Sequence, residues 1–365
     1  KNAKKNIKIF HKKNPKVKIV VTGCAVESDS QAFKDMREVS YLFKNKDKLS
    51  SYKWNNIKSN IRVGEKSEIF FNKLNKENPS NSSIRKFIKI QNGCDHSCTF
   101  CIIPRCRGKS ESDSIEKINK EIAFNLNKGV KEIILTGVDL TSWQDYNNKN
   151  FKLGDLIENI FIYNKFSFRL RLSSIDAAEI DDKLLHLIKH ESRLMPHFHF
   201  SLQSLDDLIL KRMKRRHNVS QITKLINEIR ENSSNATFGA DFICGFPTEN
   251  DRMFNNTLKN VEMLNISHLH VFPYSERAST PAARMPQVPL EVRRNRAKEL
   301  RSLGEKNYQK LLKKQVYKKH TVLIETDTGV GKTENNFVVK TKGMHKGELA
   351  TIMPNKVVNN QLVVN

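Results

Sequence analysis

Gln91-Asn92-Gly93-Cys94-Asp95-His96-Ser97-Cys98-Thr99-Phe100-Cys101 is the stretch from which the rest of the chain can be read. Three of the six cysteines sit here in the spacing C-x3-C-x2-C. Three thiolates this close can hold three corners of a cubane iron–sulfur cluster. Clusters that only carry electrons normally take four cysteines, so a set of three leaves one iron open to a substrate or cofactor. Two other readings stand beside this one. A disulfide set fits poorly with a lysine-rich chain in which no secretory signal is visible. A zinc site with His96 as fourth ligand has suitable donors, but such sites usually pair two C-x2-C knuckles.

Composition narrows the setting. The 365 residues are 38% hydrophobic, enough for one large core plus smaller domains. No apolar run approaches the roughly 20 residues that a membrane span needs. The cytoplasm is the expected compartment, where cysteines serve metal binding or catalysis more often than cross-links. The formal net charge is +25. Such an excess favours a polyanionic partner, most simply nucleic acid. Lys and Asn are abundant throughout, so base composition of the genome explains lysine in place of arginine, but not the shortage of acidic residues. The chain starts at Lys1 rather than methionine, and we expect natural sequence before it.

Residues 1–52 read as the C-terminal part of an α/β domain. Lys4 to Lys13 is a basic amphipathic stretch ended by Pro15. Lys18-Ile19-Val20-Val21 reads as a buried strand, with Cys24 just past its end, where open parallel sheets bind ligands. A lone cysteine there is more often simple packing. Residues 53–84 are polar and predict a linker or exposed flap.

From residue 85 to 312 strands and helices alternate. The strands are Phe87–Ile90, Glu132–Gly137, Phe168–Leu172, His197–Ser201, Ala240–Ile243 and His268–Phe272. Between them, apolar residues recur at helical spacing, as in Ile115, Ile118, Ile122 and Leu126, with Asp113 and Glu116 at the helix start and Gly129 at its end. Six β/α units predict a partial TIM-like barrel with its site at the C-terminal strand ends. Asp139, Ser173, Ser174, Gln203 and Asp241 all fall near or just past those ends, facing the same mouth as the cysteine loop. His197 and His199 share one strand face, where packing inside the barrel suits at least one of them. Arg293 to Lys314 is a basic helical stretch. Residues 313–365 then predict a small antiparallel β-barrel, a shape often used to hold RNA. Gly329-Val330-Gly331-Lys332-Thr333 within it looks like the end of a phosphate loop, but Thr326 stands where that motif needs its first glycine.

With these segments placed, the cysteine spacing resembles the signature of the radical S-adenosylmethionine (SAM) enzymes. The chain is similar over nearly its full length to the radical SAM methylthiotransferases. The matching residues are Val21-Thr22-Gly23-Cys24, Gly93 to Asp95, Cys101 to Pro104, Arg107-Gly108, Leu135 to Leu140, Arg171 to Ser174, Asp241 with Gly245-Phe246-Pro247, and Tyr274-Ser275 with Thr280-Pro281-Ala282. Leu135 to Leu140 and His268 to Ser275 most resemble the branch acting on N6-threonylcarbamoyladenosine at position 37 of tRNA. Residues 313–365 resemble the tRNA-binding TRAM domain.

The resemblance implies two [4Fe–4S] clusters. One rests on Cys94, Cys98 and Cys101, where SAM chelates the open iron and is cleaved to a 5′-deoxyadenosyl radical. The other rests on three N-terminal cysteines, of which Cys24 matches the third and two would precede Lys1. It implies SAM contacts at Phe100, beside the adenine, and at Gly137, Asp139, Ser173, Ser174, Gln203 and Asp241, with no catalytic side chain beyond the cluster ligands. One SAM then supplies a methyl group to sulfur at the second cluster, and a second SAM supplies the radical that activates carbon 2 of the adenine. tRNA and an electron donor such as flavodoxin or ferredoxin are the implied partners, with no membrane. The chain departs from the family at Leu205 and Ser279, where glycine is usual, and at Cys106, where a small residue is usual. Leu205 is expected to crowd the SAM pocket, and Cys106 and Cys244 to be spare thiols of the barrel domain. Sibling branches acting on isopentenyl-adenosine in tRNA or on a ribosomal protein aspartate, and a non-catalytic iron–sulfur RNA-binding protein, are the alternatives.

Overall fold

The computed structural model describes residues 2–45, 83–165 and 167–364. They fall into two compact units. The smaller takes residues 2–45, 93–96 and 102–109, and the larger takes the remainder. The linker expected over 53–84 lies outside the described residues except for 83 and 84.

The smaller unit begins with α1 (Asn2–Lys13), the expected basic helix, then β1 (Val20–Thr22), α2 (Cys24–Ser28), α3 (Gln31–Lys34) and β2 (Tyr41–Phe43). β1 and β2 pair in parallel, with Val20 opposite Tyr41. Val26 and Phe33 are the buried side chains of α2 and α3.

The larger unit opens with β3 (Arg85–Lys89) and the short β4 (Gln91–Asn92). The cysteine loop follows, and α4 (Ile103–Arg107) after it belongs to the smaller unit. β5 (Glu111–Ser112) returns antiparallel to β4. Then come α5 (Ile115–Asn127), β6 (Glu132–Thr136), α6 (Leu153–Tyr163), β7 (Arg169–Leu172), α7 (Asp182–His190), β8 (His197–Gln203), α8 (Asp207–Met213), α9 (Val219–Asn232), β9 (Thr237–Cys244), α10 (Asp251–Met263), β10 (His268–Pro273) and the long α11 (Leu290–Lys313).

The six expected strands are β3 and β6 to β10, all parallel and adjacent in chain order. They form two three-stranded sheets, β3-β6-β7 and β8-β9-β10, rather than one continuous ladder. Among the described residues, the isolated parallel bridges Leu170–Leu194 and Ile175–Phe200 join the β7 region to the β8 region. The cause is local: β7 is four residues long, and the chain leaves it for a turn around Asp176 before a full ladder can form. Among the described residues the barrel is therefore partial and does not close.

The helices follow their apolar stripes. In α5, Ile118, Ile122 and Leu126 are buried against the sheet core, each contributing roughly 1.5–3 kcal/mol by burial. Its cap is Ser114, whose hydroxyl accepts from Lys117 N at 3.4 Å, rather than Asp113. Gly129 adopts φ 87° just past its end, the left-handed conformation that stops a helix.

After α11 the chain builds a second, smaller core. β11 (His320–Ile324), β12 (Val330–Thr333), β13 (Val338–Lys340), β14 (Leu349–Ile352), β15 (Lys356–Val358) and β16 (Gln361–Val363) form one sheet in the order β14-β11-β12-β13-β16-β15. The pairing is antiparallel except for β13 with β16, which is parallel, a departure from the all-antiparallel expectation. Leu312 of α11 packs with Val322, Ile324, Phe337, Val339 and Leu362 in its core. The stretch that looked like a phosphate loop is strand β12 and the turn before it.

This sheet docks against the N-terminal ends of the barrel strands. Glu132, at the start of β6, is 1% exposed. Its carboxylate takes Arg85 Nε at 2.6 Å, Arg169 Nε at 3.2 Å and Arg171 Nε at 2.9 Å. The Arg169 and Arg171 contacts are ion pairs, and the Arg169 Nε–H is donated to Met195 Sδ at 3.0 Å. The other guanidinium nitrogens of Arg169 and Arg171 donate to the carbonyls of Lys332, Thr333 and Glu334 at 2.8–3.2 Å. Burial works against the charge on Glu132, but Arg171, Arg169 and Arg85 outweigh it and hold its pKa below the ordinary value. The C-terminal sheet is thus built into the barrel floor.

Candidate metal centre

The cysteine loop is shaped by its own backbone. Gly93 adopts φ 76°, and a Cβ there would stand 1.8 Å from the carbonyl oxygen of Lys109, so only glycine fits. Cys94 N donates to Gly108 O at 3.2 Å, and His96 N donates to Cys94 Sγ at 3.4 Å. Cys94 belongs to the smaller unit, while Cys98 and Cys101 belong to the larger. Cys101 N donates to Cys98 O at 3.0 Å, closing a tight turn between the two. All three are half-buried. Three half-buried thiols on one loop, with N–H···S contacts at Cys94 and Cys98, are ligands of the kind an iron–sulfur cluster takes.

Elements of the larger unit fix the second half of the loop. Thr99 N donates to Met213 O at 3.1 Å and Thr99 Oγ1 to Arg212 O at 2.8 Å, tying the loop to the end of α8. The Phe100 ring packs against the apolar cluster of Ile209, Met213, Phe246, Tyr274 and Ala282. Arg215 reaches Cys98 Sγ at 3.5 Å through Nη1, and Asp176 Oδ2 at 2.9 Å and Ser201 O at 2.7 Å through Nη2. Burial opposes the charge on Asp176. His217 at 3.8 Å, Arg215, the Ala178 N–H and Arg216 outweigh it and hold the carboxyl well below its ordinary range.

Five of the residues expected to contact SAM lie at or just past strand ends. Gly137 and Asp139 follow the end of β6, Ser173 and Ser174 follow β7, and Gln203 ends β8. Gln91 organises the first of these turns. It is 1% exposed, and its Oε1 accepts from both Val138 N and Asp139 N at 2.9 Å. Ser173 Oγ is buried with no hydrogen-bond partner among the described residues. Gln203 adopts φ 71°, a conformation that a non-glycine residue holds only where its surroundings enforce it.

Asp241 is the exception. It lies inside β9 rather than at its end, because the strand runs from Thr237 to Cys244. Its Oδ1 meets His199 Nε2 and His270 Nδ1, each at 3.1 Å, and the two imidazoles pack at 4.5 Å between centroids. Burial raises its pKa, and the two histidines more than offset that. One layer deeper, His197 and His268 pack edge to face at 4.6 Å. Burial, followed by His199, pushes His268 down to about 4. Of the two β8 histidines, His199 is buried and His197 is half-buried, with its Nδ1 2.8 Å from Thr237 Oγ1.

Leu205 does not crowd this mouth. It is fully buried in the main core, where its N donates to Thr257 Oγ1 at 3.2 Å and its carbonyl accepts from Asn260 Nδ2 at 2.9 Å. Cys106 is not a barrel thiol. It sits in the smaller unit, buried, with Sγ 3.5 Å from Cys24 O. Asn45 Nδ2 lies 3.6 Å from Cys24 Sγ and 2.9 Å from Cys106 O, so α2 and α4 are joined around Cys24. Cys244 is buried in β9, and burial pushes its thiol pKa up. No helix among the described residues is long and apolar enough to cross a membrane.

Gln91, Arg215 and His270 are the site residues that sequence reasoning missed. The buried glutamine and the arginine carried no local signal, since each acts on a segment far away in the chain. His270 had one: it alternates with His268 on a strand, as His199 does with His197.

Comparison with known proteins agrees with this geometry. Residues 88–261 match the Radical SAM superfamily. The chain is 42% identical over 340 residues to the threonylcarbamoyladenosine tRNA methylthiotransferase MtaB of Rickettsia prowazekii (strain Madrid E), covering 93% of this chain and 80% of that protein. It is 31% identical over 351 residues to the enzyme of the same name from Aquifex aeolicus (strain VF5), covering 94% of this chain and 84% of that protein. It is 32% identical over 337 residues to the tRNA-2-methylthio-N(6)-dimethylallyladenosine synthase of Neorickettsia sennetsu (strain ATCC VR-367 / Miyayama), covering 88% of this chain and 71% of that protein. By these relationships and by its cysteine loop and parallel partial barrel, the chain belongs to the radical SAM methylthiotransferase family, in its MtaB branch.

Proposed function

We propose that this protein adds a methylthio group to carbon 2 of N6-threonylcarbamoyladenosine at position 37 of tRNA. The observation that carries the reading is the C-x3-C-x2-C loop, pinned through Thr99 to α8, in a chain that shares 42% identity with an MtaB enzyme. Cys94, Cys98 and Cys101 hold a [4Fe–4S] cluster, and Cys24 is one ligand of a second. When bound, the first cluster and SAM together supply one-electron chemistry able to activate an unreactive carbon.

The protein's own part is binding, orientation and shielding. Gln91 fixes the Gly137–Asp139 turn, and Ser173, Ser174 and Gln203 present polar groups from neighbouring strand ends to SAM. Phe100 offers an aromatic face to the adenine. Asp241, held ionised between His199 and His270, presents hydrogen-bonding groups from within the barrel. The +25 charge supports a polyanionic substrate, with the C-terminal sheet as a tRNA-holding domain. Electrons come from a small carrier such as flavodoxin or ferredoxin, in the cytoplasm.

The test is 5′-deoxyadenosine formation from SAM and reductant. The reconstituted protein should form it, and the Cys98→Ala variant should lose it together with its cluster iron. Continued SAM cleavage by Cys98→Ala would remove Cys98 from the assignment.

A further inference from the structure

We propose that Arg215 is a positioning residue that donates a hydrogen bond to the Cys98 sulfur and thereby makes the cluster easier to reduce. The inference rests on the proposed cluster at Cys94, Cys98 and Cys101.

The geometry is built, not incidental. α8 ends at Met213, and Lys214 takes φ 56°, reversing the chain so that Arg215 turns back under the cysteine loop. The same helix end accepts both Thr99 bonds, so the arginine and the sulfur share one support. The Arg215 side chain is 7% exposed. Its Nη2 is fixed by Asp176 Oδ2 at 2.9 Å and Ser201 O at 2.7 Å, which leaves Nη1 directed at Cys98 Sγ, 3.5 Å away. Asp176 is itself anchored by Arg216 at 3.0 Å, and its backbone N donates to Thr141 Oγ1 at 3.0 Å. Arg216 also pairs with Glu179 at 2.7 Å.

A guanidinium cannot be deprotonated, so the donor is permanent. Reduction adds negative charge that spreads onto the cluster sulfurs. A buried N–H donor at one sulfur stabilises the reduced form more than the oxidised one, and hydrogen bonds to cluster sulfurs are among the factors that set potential. Arg215 therefore acts through Cys98 and need not touch SAM or tRNA.

Two measurements test this on the reconstituted full chain without SAM. In an EPR-monitored redox titration, Arg215→Gln should keep its cluster iron but reduce at least tenfold less readily, equivalent to about 59 mV for one electron. A smaller change with the cluster intact overturns the proposal. Should Arg215→Gln fail to hold iron, the unmodified protein labelled with 15N-arginine decides. ENDOR of its reduced cluster should show a weak 15N coupling, and absence of that coupling overturns the proposal equally. Failure of the underlying cluster assignment looks different: a Cys98→Ala protein that retains an unaltered cluster.

Discussion

Glu132→Gln should destabilise the barrel by about 3–5 kcal/mol. Glu132 is the one carboxylate shared by Arg85, Arg169 and Arg171, and it is nearly inaccessible to water. At an effective dielectric of about 20, a unit pair at roughly 4 Å is worth about 4 kcal/mol, most of it offset by desolvation. Removing the charge keeps that desolvation cost for Arg169 and Arg171 and adds their mutual repulsion, as happens when one partner of a buried ion pair is deleted. Gln preserves shape and one acceptor, so the loss reports charge rather than a cavity. The assay is urea unfolding of the full chain followed by the fluorescence of Trp143, which is fully buried in the main core. The pH dependence should agree in sign. Because the folded pKa of Glu132 is lowered, its contribution is present above the ordinary carboxyl range and is lost as pH falls through the folded value. A loss below 1 kcal/mol for Glu132→Gln would refute the view that this cluster seals the floor.

Two further outcomes follow from the same floor and from the charge. His268 has a depressed folded pKa, so the unfolded chain binds more protons between pH 6.5 and about 4, and stability should fall across that window as pH drops. The loss is on the order of 3 kcal/mol at 1.36 kcal/mol per pH unit, and His268→Phe unfolded over the same pH range should show a correspondingly flatter profile. tRNA affinity should fall steeply with salt on a log–log plot, as phosphate contacts release counterions, and a flat dependence would count against a charge-driven interface.

Much of the barrel was legible because its elements announce themselves. Apolar runs bounded by turn residues marked six strands, and Ile115 to Leu126 marked a helix by period. The ends were harder. Asp241 looked like a strand-end residue because Ala240–Ile243 was the apolar run, yet pairing with His268 to Pro273 extends β9 in both directions. In the C-terminal domain β12 was hidden behind its likeness to a phosphate loop, and β15 is too short and exposed to leave a pattern. Long-range chemistry left the least trace. Nothing in Lys214-Arg215-Arg216 distinguishes an arginine turned toward a thiol from one in a solvated charge run. Nor does the spacing between Cys24 and Cys106 reveal that α2 and α4 meet. The departure at Leu205 was legible as a residue but not as a direction: its side chain turns into the core.

The most direct test of the account is nucleoside mass spectrometry of tRNA from cells lacking this gene. The account predicts that N6-threonylcarbamoyladenosine accumulates and that its 2-methylthio form disappears. Returning the gene should restore it, and returning the Cys98→Ala form should not. An unchanged level of the 2-methylthio form in the deletion strain, or loss of the isopentenyl-type 2-methylthio nucleoside in its place, would contradict it.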